Sequence, residues 1–412
     1  MDTLIIGGGP AGLTAACFSA RPALVLERLG NPARKLMATG GGRCNVTHAT
    51  DAAGIGAAFG RHARFLAPAL HAFPPDALRA FFRNLGVETF AEPDGCVFPV
   101  SQKASDVAQA LVRAARANGA EIRCGVRATR LIIENGNSVN GSPPRITGVE
   151  TNQGVLYANR VILAAGGRSY PDLGSDGSGF ALAQAAGLET TPPVPALSGL
   201  ITQEAWPGTL AGILAEKGGL RLDVKGGSKQ FSTGPLLFTH KGLSGPPALD
   251  LSGEIAARLL DSTSVPLRVT FLASRQPEEW LALFEEWRRQ HGGRALHSLL
   301  SGELPRSLAT TLCGLAGATD TAVARAKRSV LTALAEACAN LPLHATGTEG
   351  WNRAMVTRGG VALHELDPAT LACRRLRGLA CAGEVIDVDG RCGGYNLTWA
   401  FASGRLAGLG GG

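Results

Sequence analysis

The stretch from Asp2 to Glu27 constrains the fold more than any other part of the chain. A short apolar run, Thr3–Ile6, leads directly into the glycine-rich segment Gly7–Gly12. Leu13–Ala20 then has the small residues of a tightly packed helix, and Ala23–Leu26 has the pattern of a second strand, which ends at Glu27. This order predicts a βαβ unit with the G-x-G-x-x-G pattern of dinucleotide-binding proteins.

Each conspicuous residue of this unit has a physical task in such a site. Gly7 permits the tight turn after the strand, Gly9 lets the backbone approach a pyrophosphate, and Gly12 allows close packing of helix on sheet. The free N–H groups and positive dipole end of the helix attract the phosphates. Glu27 lies 20 residues after Gly7, where a carboxylate can accept hydrogen bonds from ribose hydroxyls. A glycine-rich surface turn is the alternative, and the motif alone does not separate NAD from FAD.

Length and composition predict the class of protein. A chain of 412 residues is long enough for two or three domains with a substantial core. A hydrophobic content of 45% and a mean hydropathy of +0.10 fit a globular enzyme. Because the first strand begins at Thr3, we expect no signal or transit peptide. No uncharged apolar run approaches the length of a membrane span, so we expect a cytoplasmic protein without a membrane partner.

The cysteines lack the number and spacing of disulfide, zinc or dithiol motifs. Their number, nine, is odd, and no C-x-x-C pair occurs. This argues against a disulfide framework, a structural zinc site and a redox dithiol of the thioredoxin-reductase type. We therefore predict no metal site and expect most of the cysteines to be small buried hydrophobic residues.

The positive charge is unevenly distributed. The net charge is +7 and the pI is about 9.1, and residues 1–130 hold 15 Lys/Arg against 9 Asp/Glu. A second cluster consists of Arg374, Arg375 and Arg377, whereas residues 276–345 carry seven of each sign. Such an excess can be a solubilising surface. It is also what a protein that contacts phosphate-rich RNA requires.

A second glycine-rich segment follows the βαβ unit. Gly40–Gly42 are flanked by the cations Arg34, Lys35 and Arg43. Their N–H groups could line an anionic or planar ligand, although a plain loop is the alternative. Cys44 is either a packed thiol or a group close to a reactive ring, and the sequence leaves both open.

Alternating helix and strand patterns extend a Rossmann-like sheet to about residue 190. The predicted elements are two helical pieces in Phe65–Gly86, a hairpin in Val87–Val100, a helix at Ser105–Asn118, strands around a polar hairpin tip at Asn135–Pro144, and a buried strand, Val161–Leu163. Ligands of such sheets lie beyond the carboxyl ends of the strands. Gly174–Gly179, before a predicted helix at Phe180–Ala186, lacks the strand that a second dinucleotide unit requires. We therefore predict one tightly held dinucleotide, with any nicotinamide donor binding transiently.

The pattern changes at a proline-rich linker near residue 192. Residues 197–275 alternate short apolar runs with glycine turns and predict a small barrel or sheet domain. Residues 276–345 are helical in pattern, with predicted helices Pro277–His291 and Thr321–Leu341. The apolar stripe Trp280, Leu283, Phe284 and Trp287 in the first of these is typical of a core.

The last part of the chain returns to strands and turns. A strand ending at Ala380–Glu384 leads through glycines to a helix predicted at Leu397–Leu406. A helix N-terminus there favours the negative charge of a reduced flavin or a pyrophosphate. An ordinary glycine-rich turn is the alternative.

Taken together, these stretches resemble the HI0933-like (YhiN-type) FAD-dependent oxidoreductases. The matching segments are Ile5–Gly12, Lys35–Thr47, Leu237–Pro246, Val356–Val361 and Ala382–Ser403. The resemblance implies an α/β fold with a Rossmann-like FAD-binding domain in two segments, 1–190 and 352–412. A β-barrel-like domain, 191–275, with a helical insertion, 276–351, interrupts it.

The resemblance also implies a set of residues around FAD. By position these are Gly7, Gly9, Pro10, Ala11, Gly12, Glu27, Arg28, Lys35, Gly41, Gly42, Arg43, Val126, Ala165, Gly166, Gly383, Glu384, Asp387, Gly393, Gly394, Tyr395 and Asn396. Cys44 and His240 lie in motifs of the family and are candidate proton donors. The chain departs from the usual pattern at His48, where asparagine is commoner, at Arg391-Cys392, and at Arg358. These departures concern the substrate pocket more than the cofactor.

The resemblance implies NAD(P)H-driven reduction of a conjugated C=C bond, in which the cofactor supplies the redox step. The basic N-terminal region favours uridine in ribosomal RNA, reduced to dihydrouridine, as the substrate. Reduction or oxidation of a small molecule, such as an enone, a steroid-like compound or an amine, is one alternative. A flavin-binding scaffold without turnover is another, and the oligomeric state is left open.

Overall fold

The computed structural model describes residues 2–135, 143–224 and 231–410. The chain divides into two compact units, one formed by Met1–Val194 with Val356–Gly412 and the other by Pro195–Met355. Most of the hairpin tip expected at Asn135–Pro144 lies outside the described residues. The domain limits predicted from the sequence stay a prediction.

The first unit combines helices and strands from both ends of the chain. Its strands are β1 (Thr3–Ile6), β2 (Ala23–Glu27), β3 (Thr47–His48), β4 (Thr89–Ala91), β5 (Cys96–Pro99), β6 (Glu121–Cys124), β7 (Ala128–Glu134), β8 (Arg145–Thr151), β9 (Gly154–Tyr157), β10 (Arg160–Leu163), β11 (Thr190–Ala196), β18 (Val356–Val361) and β19 (Leu379–Cys381). Its α-helices are α1 (Pro10–Cys17), α2 (Arg34–Ala38), α3 (Ala52–Ala57), α4 (Ala63–Ala72), α5 (Pro75–Asn84), α6 (Ala104–Ala117), α7 (Ser178–Ala185) and α13 (Tyr395–Leu409). Its 3₁₀ turns are Thr39–Gly42, Gly60–His62, Pro171–Leu173, Leu363–Glu365 and Gly383–Val385.

A five-stranded parallel sheet organises this unit, in the order β19-β10-β1-β2-β6. Strand β1 pairs with β10 on one side and with β2 on the other, in continuous register over its four residues. All residues of β1 and β2 are buried, as expected for a parallel sheet covered on both faces. Since β19 comes from the end of the chain, the sheet itself joins the two sequence segments.

The turn after β1 depends on close backbone contacts. A Cβ atom at Gly7 would lie 2.3 Å from the carbonyl oxygen of Ala164, and one at Gly12 would lie 1.9 Å from the carbonyl oxygen of Gly7. Helix α1 begins at Pro10, three residues earlier than the predicted start at Leu13, because proline fits the first turn of a helix.

Helix α13 packs against α1 at two glycines. A Cβ atom at Gly404 would lie 2.3 Å from the carbonyl oxygen of Ala11, and one at Gly408 would lie 2.5 Å from that of Ala15. The C-terminal helix therefore lies directly on the helix of the dinucleotide motif.

The second unit is a barrel with helices. Its strands are β12 (Leu200–Thr202), β13 (Leu214–Leu222), β14 (Phe231–Thr239), β15 (Gly242–Ser244), β16 (Val265–Thr270) and β17 (Leu341–Thr348), closed in the order β12-β15-β14-β13-β16-β17. Its helices are α8 (Pro246–Arg258), α9 (Pro277–Gln290), α10 (Leu296–Leu300), α11 (Arg306–Leu315) and α12 (Arg328–Ala339), with 3₁₀ turns at Trp206–Leu210 and Val323–Arg325. The α/β fold class and the barrel predicted from the sequence are confirmed.

Three elements of this unit differ from the sequence-based expectation. Helix α8 lies in a range that the sequence predicted as sheet and turns. A helix can form there because its two prolines occupy the first helical positions, where proline is accepted. Strand β17 closes the barrel within the range assigned to the helical insertion. The helix predicted at Thr321–Leu341 begins only at Arg328, after the 3₁₀ turn. The tryptophan stripe of α9 is core as expected, with Trp280 and Phe284 fully buried.

Among the described residues, no helix is both long and apolar enough to cross a membrane.

The packing of α13 on α1 is testable with Gly404→Ala. The added methyl group meets a backbone carbonyl that cannot rotate away, so we expect a loss of about 1–3 kcal/mol. Thermal unfolding of the purified protein measures the change. Gly314→Ala is the matched control, because Gly314 is an exposed glycine of α11 with the nearest atom 3.9 Å away. A G404A variant that melts with or above the control would contradict this packing.

Candidate cofactor site

The candidate site lies in the first unit, where the parallel strands end. Gly7 follows β1, Glu27 ends β2, and Ala164 follows β10 at the same edge of the sheet. Gly383 follows β19 there, and a Cβ atom on it would lie 2.7 Å from Cβ of Ala11. The structure thus brings the N-terminal and C-terminal motifs together at one edge.

Glu27 is held by the turn that it faces. Its Oε2 accepts a hydrogen bond from Gly8 N–H (3.0 Å), and its Oε1 accepts one from Leu29 N–H (2.8 Å). Burial raises the pKa of Glu27, while these two N–H groups act in the opposite direction. A carboxylate has about four acceptor positions, so capacity remains for ribose hydroxyls.

The first turn of α1 offers space and N–H groups for a pyrophosphate. A Cβ atom at Gly9 would meet nothing within 4 Å. Within the described chain, no side chain caps the N-terminus of α1. With Glu27 beside it, this cradle fits the ADP half of FAD. Pro10, Ala11 and Gly12 form the first turn of α1, whereas the sequence predicted that the helix begins at Leu13.

Lys35 and Glu384 join the two ends of the chain. Lys35 Nζ donates to Glu384 Oε2 (2.7 Å) and to Ser169 Oγ (2.5 Å), and the two charged side chains are 19% and 21% exposed. Ser169 Oγ donates to Glu384 Oε1 (2.9 Å). These contacts connect α2, the segment after β10 and the segment after β19.

Thr357 completes this network. Its hydroxyl oxygen accepts hydrogen bonds from Arg168 N–H (2.7 Å) and Ser169 N–H (3.2 Å), and its own N–H donates to Glu384 Oε1 (2.8 Å). A Cβ atom at Gly167 would lie 2.3 Å from that oxygen. The backbone after β10, which includes Ala165 and Gly166 of the predicted site, is therefore fixed from β18.

Arg28 clamps the loop before α7. Its guanidinium donates to the carbonyl oxygens of Pro171 (2.9 Å) and Gly174 (3.2 Å) and lies 3.4 Å from Asp176. Asp176 also pairs with Arg127 (3.1 Å) and accepts from Ser178 N–H. Asp176 already accepts a hydrogen bond from the first residue of α7, so the Gly174–Gly179 segment serves as a structural clamp.

The Gly40–Gly42 segment is an exposed 3₁₀ turn, and a Cβ atom at Gly41 or Gly42 would meet nothing within 4 Å. Arg43 does not extend freely from it. Its Nη1 donates to Glu92 (2.8 Å) and Gln102 (3.1 Å), and its guanidinium lies 3.9 Å from the ring centroid of Phe98. Arg43 thereby anchors the turn to β5.

The C-terminal site residues surround the start of α13, which Gly393 and Gly394 precede. The Asn396 side chain accepts from Gly390 N–H (2.8 Å) and donates to Gly390 O (2.9 Å). Asp387 Oδ1 accepts from Gly359 N–H (3.0 Å). Asn396 thus holds the backbone before α13, and Asp387 ties that segment to β18. Val126 acts similarly, with its N–H donating to Glu27 O.

The two predicted proton donors lie in different environments. Cys44 is fully buried in the hydrophobic core of the first unit, and burial raises its pKa to about 12. This placement favours the packed-thiol interpretation. His240 belongs to the second unit, where it is exposed in the turn between β14 and β15. Its role as a proton donor stays a prediction.

The sequence interpretation missed Ser169 and Thr357. Ser169 is fully buried and lies three residues after Gly166. The available signal in the sequence was a polar residue shortly after the glycines that follow a strand. Thr357 belongs to a segment of the family resemblance but carries no charge to single it out.

A cluster of possible metal ligands lies elsewhere in the unit. The ligand atoms of Glu189, His364 and Glu365 are within 4.8 Å of one another. Arg375 binds both carboxylate oxygens of the buried Glu365, through Nη2 and through Nε (2.8 Å). We therefore interpret the cluster as an ion-pair network, which also neutralises part of the basic cluster at residues 374–377.

The fold and this site define a flavin-dependent oxidoreductase of the Rossmann type. The chain belongs to the HI0933-like family, because the HI0933-like protein Rossmann domain matches residues 1–410. The predicted family is thus confirmed.

Several relatives match over nearly the whole chain, and two of them have different substrates. A 3-dehydro-bile acid Δ(4,6)-reductase from Clostridium scindens is 33% identical over 98% of this chain and 97% of that protein. A ribosomal RNA dihydrouridine synthase from Escherichia coli is 29% identical over 98% and 96%. The structure of 3-ketosteroid Δ1-dehydrogenase from Sterolibacterium denitrificans aligns over 99% of this chain and 98% of that chain, with a TM-score of 0.53 and 13% identity. That similarity concerns the fold alone.

Glu27→Gln tests the assignment of the ribose-binding acid. Removing the charge weakens hydrogen bonds to the ribose, so we expect the FAD dissociation constant to rise about tenfold or more. Titration of FAD-free protein followed by flavin fluorescence measures it. Glu121→Gln on β6 is the control, since that exposed carboxylate pairs only with Arg123 among the described residues. Equal dissociation constants for E27Q and E121Q would refute the assignment.

Lys35→Met tests the network that joins the chain ends. It leaves the Glu384 carboxylate half-buried without its cation, which should cost about 1.5–3 kcal/mol. We expect a lower thermal midpoint and faster loss of FAD on dilution. Arg130→Met, which breaks an exposed pair with Glu150, should cost less than about 1 kcal/mol. If K35M behaves like R130M, the network does not hold the site together.

Proposed function

We propose that this flavoenzyme reduces a C=C bond conjugated to a carbonyl group, with NAD(P)H as a transient electron donor. The observation that carries the proposal is the shared chemistry of the two relatives. A Δ(4,6)-reductase of a 3-oxo compound and a dihydrouridine synthase both act, by their names, on a C=C bond in conjugation with a carbonyl. One of these relatives acts on a bile acid and the other on RNA, yet the bond that is reduced has the same chemistry in both.

The residues of the first unit supply binding and electrostatics for this reaction. FAD, when bound, supplies the hydride chemistry. Glu27 and the first turn of α1 would hold its ADP half, and Lys35 with Glu384 would fix the segments around the rest. The N-terminus of α13 would favour negative charge through its dipole.

We propose uridine in ribosomal RNA as the substrate. Within residues 2–135, six exposed arginines form no salt bridge with a carboxylate of the described residues, namely Arg34, Arg61, Arg64, Arg83, Arg113 and Arg116. Cations of this kind contact phosphates and make binding strongly dependent on salt. The expected cytoplasmic location belongs to the same proposal, because ribosomal RNA lies there.

A small-molecule enone is the second candidate. It is favoured by the 33% identity to the bile acid reductase, which exceeds the 29% identity to the dihydrouridine synthase. A steroid-like substrate would not need the exposed arginines, so its turnover would depend little on salt.

Mass spectrometry of ribosomal RNA tests the proposed substrate. In RNA from cells that lack the gene, one nucleotide should no longer show the mass increase of two hydrogen atoms that marks dihydrouridine. The wild-type gene should restore it, and a gene encoding E27Q should restore less. Unchanged RNA in the deletion strain would exclude the RNA substrate and leave the enone as the leading candidate.

Stopped-flow spectroscopy separates the reductase from the remaining alternatives. Rapid bleaching of the flavin by NADH or NADPH, without any substrate, is expected for an NAD(P)H-driven enzyme. A scaffold would show no reduction, and an amine oxidase would instead be bleached by an amine.

A further inference from the structure

His48 contacts the turn that begins α13. Its Nδ1 lies 3.1 Å from the carbonyl oxygen of Gly393, and its ring stacks on Tyr395 with centroids 4.7 Å apart and planes 23° apart. A carbonyl oxygen can only accept, so Nδ1 carries the proton and donates. The side chain is half-buried and sits on β3, opposite Cys96 of β5.

The neighbouring residues of His48 hold the same turn. Thr47 Oγ1 and Thr398 Oγ1 are 2.7 Å apart in a buried hydrogen bond. A Cβ atom at Gly394 would lie 2.5 Å from Thr47 O and 2.7 Å from Asn45 Oδ1. Asn45, before β3, and Thr47, within it, therefore lie in close contact with the start of α13.

We propose that His48 is a positioning residue for the flavin, which acts by fixing the N-terminal turn of α13. The inference rests on the proposed placement of the flavin at that turn. The dipole of α13 favours negative charge only near its first turn. A small displacement of Gly393–Tyr395 therefore changes how strongly a reduced, negatively charged flavin is stabilised.

Two contacts of His48 contribute in different ways. The hydrogen bond sets the direction of the Gly393 carbonyl, and the stack fixes the Tyr395 ring. Asparagine at this position could supply a donor but no ring, so H48N separates the hydrogen bond from the aromatic contact.

The test uses H48A and H48N with the purified holoenzyme. The measurements are the FAD dissociation constant and the flavin midpoint potential at saturating FAD. We expect the dissociation constant to rise about tenfold in H48A and about threefold in H48N. The midpoint potential should become more negative in both. A residue that only supports the fold would lower the melting temperature but leave the potential of the saturated enzyme unchanged.

His71→Ala is the matched control. His71 Nδ1 also contacts a backbone carbonyl, that of Ala67 (2.7 Å), but on the exposed side of α4. H71A should match the wild type in both measurements. If H48A does not fold, H48N decides alone, and a wild-type potential in H48N overturns the proposal.

Gly394→Val separates this inference from the placement of the flavin. Crowding against Thr47 O must displace the turn, so G394V should weaken FAD binding if the flavin lies there. If G394V has no effect, the placement fails. If G394V weakens binding and the His48 variants do not, only the role of His48 fails. Neither measurement involves a substrate, so both remain valid if reduction of a C=C bond is disproved.

Discussion

The ion pair between Lys35 and Glu384 is the interaction on which the rest of the site depends. It joins residues 349 positions apart, and both charges are about four-fifths shielded from solvent. Charges in such surroundings are costly unless they are paired and hydrogen-bonded. Ser169 and Thr357 supply the additional bonds, and each comes from a different segment of the first unit. The pair is therefore satisfied only when all four segments are in place.

Glycine packing gives this network a rigid frame. Gly404 and Gly408 let α13 touch the backbone of α1, and Gly383 places the segment after β19 against Ala11. As a result, the N-terminus of α1 and four strand ends lie together at one edge of the parallel sheet. Ligands of open α/β sheets bind at such an edge. The frame is built from backbone contacts, so it leaves little freedom for the cradle to deform.

The sequence predicted the parts of this arrangement that depend on local patterns. The unit from β1 to Glu27 was predictable because strand, glycine turn, helix and acid occur at fixed spacing. Helix α8 was not, since its prolines and internal glycine resemble a turn. The contacts of Ser169 and Thr357 were not predictable either, because they depend on segments that meet only in the folded chain. Cys44 illustrates the same limit, since a cysteine beside a glycine turn does not show whether it faces the core or a ligand.

The division between buried and exposed features also explains how one family can contain relatives with dissimilar substrates. The groups that would hold the cofactor are backbone N–H groups, a half-buried ion pair and a buried carboxylate, and these depend on the fold as a whole. The exposed arginines of the N-terminal region contribute nothing to that frame, since surface charges change stability by little. They can therefore vary without cost to the cofactor site, whereas phosphate binding responds to each cation gained or lost. Under the proposed function, the sheet edge would therefore set the reaction, and the surface around it would set the choice between an RNA and a small enone.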